Sequence, residues 1–99
     1  MNSMKGSVCM NEILVSEEII LQRKELRKEI LFSFYEFNFK YGGSAKRTSI
    51  PISKDPEENA AYLYLIDSGL LFAEPLEGGY MAIKISHNGI DFIERGSNF

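Results

Sequence analysis

The sequence contains little of the side-chain chemistry that small enzymes and metal-binding domains need. Its 99 residues include one cysteine, one histidine and no tryptophan. The single cysteine, Cys9, cannot form an internal disulfide, which fits a reducing compartment. His87 has no second histidine or cysteine with which to build a zinc site, and no serine or cysteine stands in a nucleophile motif with it. We therefore expect a non-enzymatic protein that uses no metal and no other cofactor.

Long apolar runs and an excess of positive charge are also missing. No stretch approaches the roughly 18 apolar residues that a membrane-spanning helix requires. The N-terminus lacks the basic start and apolar stretch of an export signal, so we expect a cytoplasmic protein with no membrane association. The formal net charge of -3 gives the chain no overall attraction to nucleic acid, and any basic surface must be local.

Helical periodicity begins after a polar N-terminal stretch. We assign residues 1–16 to a flexible arm and residues 17–96 to the folded domain. Ser16 followed by two glutamates is typical of a capped helix start. Apolar residues then recur every three or four positions, which predicts one long helix that Gly42 and Gly43 end. This apolar stripe consists of Leu26, Ile30, Phe34, Phe37 and Tyr41.

Further apolar residues lie off this stripe and give the long helix a second apolar face. They include Leu31 and the aromatic residues Phe32, Tyr35 and Phe39. A helix that is apolar on more than one face needs more than one neighbour. Two interpretations are open: a core helix within one chain, or a core helix that also forms a dimer seam. We predict a homodimer whose interface includes the three aromatic residues, since a domain this small gains from burying them.

The next segment contains signals for an edge strand and a second helix. Residues 48–52 are β-prone, and Pro51 limits such a strand to the edge of a sheet. Asp55 followed by Pro56 is typical of a helix start, with the aspartate as the cap and proline at the first helical position. Gly69 ends this helix.

A hairpin and a last helix follow. The strand-like runs 70–72 and 80–85 flank a turn at residues 75–79, where glycine can supply the positive φ of a hairpin. Asn88-Gly89 predicts the start of a short final helix. We expect His87 to cap this helix or to lie at the surface.

Two stretches of the second half resemble patterns of the winged helix-turn-helix family. Residues 62–71, YLYLIDSGLL, are similar to the family's YLxxxGLI passage from the recognition helix into the wing. Residues 85–94, ISHNGIDFIE, are similar to its ITxxGIxFIE exit from the wing into the last helix. The resemblance covers residues 19–95 and is to small proteins of Gram-positive bacteria and their phages. It implies an α+β winged-helix-like domain: a long helix, a short edge strand, a helix, a two-stranded β-wing and a short C-terminal helix.

Three features depart from the usual pattern of that family. Residues 44–55 are too few to hold the family's additional helix with its turns, so we expect this helix to be missing or reduced to one turn. The implied recognition helix begins with the acidic residues 55–59, DPEEN, which would repel phosphates. The wing carries Glu74 and Glu77 where a DNA-contacting wing usually carries arginine or lysine.

One stretch, residues 37–54, is free of acids and rich in cations. It contains Lys40, Lys46, Arg47 and Lys54, interleaved with glycine, serine and threonine. A flexible glycine-serine loop with these cations could bind a few phosphates. We therefore predict that the four cations contact nucleic acid. The alternative is a solvated loop whose cations serve solubility.

Two functions from different classes remain open. The leading hypothesis is a small winged-helix protein that acts as a DNA-binding or transcription-regulatory module, with weak and salt-sensitive binding. The alternative is a protein-protein interaction module that keeps the fold and does not bind DNA. The acid-free cations favour the first hypothesis, and the acidic helix start and wing favour the second.

Overall fold

A computed structural model describes residues 16–99, so the predicted N-terminal arm lies almost wholly outside the described residues. The described chain is an α+β fold with the winged-helix-like order that the sequence predicts. Its elements are α1 (Glu17–Lys40), β1 (Lys46–Ser49), α2 (Pro56–Asp67), β2 (Leu71–Leu76), β3 (Tyr80–Ile85) and α3 (His87–Glu94).

The long helix α1 begins where the sequence predicts, and its core-facing surface is wider than the predicted stripe. The Ser16 hydroxyl accepts a hydrogen bond from the Ile19 N–H at 3.2 Å. The buried residues are Ile30, Leu31 and Phe34. Leu31, which lies off the stripe, is buried because α1 contacts α2, β3 and α3 on different sides. Tyr41, the last residue of the stripe, is exposed beyond the end of the helix.

The strands form an antiparallel sheet in the order β1-β3-β2. Both β1 and β2 are therefore edge strands. The prediction of an edge strand at residues 48–52 is correct in kind and wrong in position, since β1 runs from Lys46 to Ser49. Ser49 pairs with Tyr80, where β3 begins, and only the Ile50 N–H adds one more bond, to the Gly79 carbonyl at 2.9 Å. Pro51 has no N–H to donate, so the pairing stops before it.

Alternation along the strands separates a buried face from an exposed one. Leu71, Ile83 and Ile85 point to the helices and are almost completely buried. They pack with Leu31 of α1 and Leu65 of α2 in one hydrophobic core. The opposite face of the sheet, which we call the outer face, carries the alternate residues: Arg47 of β1, Phe72, Glu74 and Leu76 of β2, and Tyr80, Ala82 and Lys84 of β3.

The second helix runs from its predicted start to its predicted end. The Asp55 carboxylate accepts from the Glu57 N–H at 3.1 Å, and Pro56 occupies the first turn. Gly69 then takes a positive φ of 80° and turns the chain into β2. Residues 50–55 form bends without a helix, so the additional helix of the winged-helix family is missing, as the short spacing predicts.

The last helix starts slightly earlier than predicted. It begins at His87, and the cap is Ser86, whose hydroxyl accepts from the Gly89 N–H at 3.0 Å. The same hydroxyl donates to the Gly69 carbonyl at 2.5 Å, which ties the end of α2 to the start of α3. His87 is exposed, in agreement with its predicted surface position. No helix among residues 16–99 is long and apolar enough to cross a membrane.

Candidate nucleic-acid interface

Two of the four predicted phosphate-binding residues lie in a strand, not in the expected flexible loop. Lys46 and Arg47 begin β1, and consecutive residues of a strand point to opposite faces. Lys46 pairs with the buried Ile83, and its Nζ lies 5.8 Å from the centre of the Phe34 ring. Arg47 therefore points to the outer face. The two side chains therefore lie on opposite faces of the sheet, both at the free edge of β1.

The other two predicted cations lie at the ends of the neighbouring helices. Lys40 is the last residue of α1, with its Nζ 5.5 Å from the centre of the Tyr41 ring. Lys54 lies in the bends immediately before α2. Both are exposed, as are Lys46 and Arg47. The two ion pairs found in residues 16–99 involve none of these four cations, so their charges remain available to a ligand.

Cations and aromatic rings meet on the outer face of the sheet. In the antiparallel register, Lys84 of β3 lies opposite Phe72 of β2, and both are exposed. Arg47 lies with its guanidinium 4.0 Å from the centre of the Tyr80 ring. Phe72, Tyr80 and Lys84 are not among the residues that the sequence predicts for this site. The alternation in residues 80–85 was the available signal, because the outward positions there differ from the apolar inward ones.

The second helix is acidic and presents no cation to a ligand. Pro56–Asp67 contains no lysine or arginine. Arg23 of α1 donates to Glu57 from Nε to Oε1 at 2.8 Å and from Nη2 to Oε2 at 2.9 Å. These hydrogen bonds hold the pKa of Glu57 below its usual value, so the carboxylate stays charged at neutral pH. Leu63 and Tyr64 are also exposed on this helix.

The three aromatic residues predicted for a dimer interface are not equally available. Phe32 and Phe39 are 41% and 60% exposed. Tyr35 is half-buried, and its hydroxyl donates to the Glu94 carboxylate of α3 at 2.8 Å. This hydrogen bond raises the pKa of Tyr35. The Tyr35 and Phe39 rings lie 4.9 Å apart, so the exposed surface of the pair continues along α1.

The described side chains bring together no cluster of three histidine, cysteine or acidic residues that could hold a metal ion. What residues 16–99 do bring together is a basic edge strand, an outer sheet face with aromatic rings and an acidic second helix. No protein-family model, curated protein or solved structure matches the chain.

Proposed function

We propose that this protein is a small, non-enzymatic nucleic-acid-binding module that acts in regulation, and that it binds through β1 and its flanking segments. The observation that supports this proposal is the separation of charge. Lys40, Lys46, Arg47 and Lys54 are exposed outside both ion pairs of residues 16–99, whereas α2 contains no cation. In a winged-helix-like fold with an acidic second helix, phosphates are attracted to the side that carries the cations.

The position of β1 allows its two cations to act on one backbone. Because β1 is an edge strand, none of the described residues forms backbone pairs with its free edge. A phosphate backbone that follows this edge passes Lys46 on one side and Arg47 on the other. Such contacts carry no sequence information, so binding is weak, insensitive to base sequence and strongly reduced by salt.

Fluorescence anisotropy with labelled DNA of random sequence tests this proposal. For a duplex of about 20 base pairs, log K should fall with log salt by about 0.9 for each phosphate contacted. The double variant Lys46→Gln with Arg47→Gln should lower the affinity and flatten this slope by about two contacts. A matched control, Lys24→Gln with Lys28→Gln, removes the same charge from the exposed surface of α1 and should have a smaller effect.

Two results would contradict the proposal. One is an absence of binding by the unmodified protein at about 50 mM salt and tens of micromolar. The other is an equal loss of affinity in the β1 variant and in its α1 control, since a general loss of charge would then explain the effect. Circular dichroism of each variant checks that the fold is retained.

Protein-protein interaction is the second candidate function, and the surface of α2 favours it. Leu63 and Tyr64 are 48% and 44% exposed in the second half of α2, whose first turn is acidic. Tyrosine is enriched in protein interfaces relative to the rest of the surface. This candidate takes precedence if the protein does not bind nucleic acid.

We also infer that the protein is a homodimer. Phe32 and Phe39 expose aromatic surface on α1, and a domain of this size gains stability by burying it against a second copy.

A further inference from the structure

The outer face of the sheet exposes large apolar side chains. Phe72, Leu76 and Tyr80 are 53%, 43% and 36% exposed. The register places Leu76 directly opposite Tyr80, and Phe72 directly opposite Lys84. The helices pack against the opposite face, where the buried residues of the sheet lie. These side chains are therefore exposed together on one face of an ordered sheet, where a ligand can reach them.

The charges on this face are those that a polyanion requires. The outer face carries two cations, Arg47 and Lys84, and one acid, Glu74. Its net charge is therefore positive, although that of the whole chain is negative. The Arg47 guanidinium is already held over the Tyr80 ring at 4.0 Å. A guanidinium fixed in this way can contact a phosphate or stack on a base.

A depression of about 580 Å³ extends from one end of the outer face. Phe72 and Lys84 line its sheet side, and Asn38, His87 and Asn88 contribute polar groups to its wall. Amide and imidazole groups can donate and accept hydrogen bonds, as the edges of a base require. A base that stacks on Phe72 would therefore have polar partners beside it.

The spacing of the rings favours an extended single strand. Phe72 and Tyr80 lie on neighbouring strands and four residues apart in register, which is about 14 Å by ordinary strand geometry. Stacked neighbouring bases are only about 3.4 Å apart. Bases inside a duplex are also closed to rings on an open sheet, whereas unpaired bases can be splayed onto them.

We propose that the outer face binds single-stranded nucleic acid, with bases stacked on Phe72 and on the Arg47–Tyr80 pair, and with phosphates held by Arg47 and Lys84. This inference rests on the proposed function and names its substrate class: a single strand, bound across the sheet, in preference to a duplex. Aromatic rings on a β-sheet supply sequence-tolerant stacking, and the cations follow the backbone.

The test compares labelled oligothymidylate of about 15 nucleotides with a duplex of the same length in anisotropy titrations. The unmodified protein should bind the single strand more tightly. Phe72→Leu and Tyr80→Leu, which keep an apolar side chain, should each weaken single-strand binding about fivefold or more, and Phe72→Leu should do so without changing its salt dependence. Lys84→Gln should lower the salt slope by about 0.7. Tyr64→Leu, a similarly exposed aromatic change on α2, should leave the affinity unchanged.

The outcomes that overturn the inference are distinct from those that overturn the proposed function. Equal or tighter duplex binding, unaffected by the leucine variants and still weakened by the β1 variant, overturns the stacking platform and leaves nucleic-acid binding in place. No binding of either probe overturns both. A leucine variant that halves the light-scattering mass without weakening single-strand binding assigns the face to a contact between copies, and also overturns the inference.

Discussion

At the residue scale, one buried glycine fixes how closely α3 approaches the start of the hairpin. Gly89 lies in α3 with an ordinary helical φ, so its role is not to form a turn. A Cβ at this position would overlap the Leu70 carbonyl oxygen and lie 2.6 Å from Ile85 Cγ1. The backbone and a core side chain therefore contact this helix where only hydrogen fits.

The close approach predicts the effect of Gly89→Ala. Although alanine favours the helix by about 1 kcal/mol, its methyl group would force α3 away from Leu70 and from Ile85 of β3. We expect a net loss of roughly 1–3 kcal/mol in the free energy of unfolding, measured by urea denaturation. Asn88→Ala, at the exposed neighbouring position, is the control and should change stability by less than about 0.5 kcal/mol. An unchanged midpoint for Gly89→Ala would show that α3 does not pack this closely.

At the element scale, α1 has one side in the core and another side that remains exposed. Its middle is buried under α2, α3 and the sheet, while Phe32 and Phe39 stay exposed on its other side. The hydrogen bond from Tyr35 to Glu94 fixes α3 beside this exposed surface. A partner that covers the surface would therefore contact a rigid pair of helices.

Assembly through α1 predicts a mass change on mutation. At about 100 μM the unmodified protein should scatter light with twice the chain mass of 11.3 kDa. Replacing Phe32 and Phe39 by serine should yield a monomer that unfolds cooperatively. Leu63→Ser, an equally exposed apolar change on α2, should leave the dimer intact. A monomeric unmodified protein at this concentration would contradict the dimer.

Local signals explain which elements the sequence predicts well. Ser16, Asp55 and Pro56 mark the helix starts, because capping is decided within one turn of chain. The position of β1 depends instead on its pairing with Tyr80–Ile83, more than thirty residues away. No local pattern contains that register, so the predicted strand is displaced toward Pro51.

The candidate site is harder to predict for the same reason. The sequence identifies the cations of residues 37–54 by composition, yet it assigns Lys46 and Arg47 to a loop. Their strand pairing decides that they flank an edge. Phe72 and Tyr80 are residue types that are usually found in the core. They are exposed because the helices pack against the opposite face of the sheet.

At the scale of the whole molecule, the charges are segregated. The cations of β1 and of its flanking segments lie outside the ion pairs of residues 16–99, whereas α2 carries acids and no cation. A chain with a net charge of -3 can therefore attract a polyanion to one side and repel it from the other. The proposed function depends on this asymmetry, because it places nucleic-acid binding at the sheet and not at the second helix.

Chemical-shift mapping of the amide groups with an oligonucleotide of about eight thymidines tests this claim most directly. We expect shifts concentrated in Lys46–Ser49, in Tyr80–Ile85 and at Phe72, with little change in Pro56–Asp67. The shifts should fade as salt is raised, because the contacts are ionic. Shifts concentrated in Pro56–Asp67, or none at low salt, would contradict it.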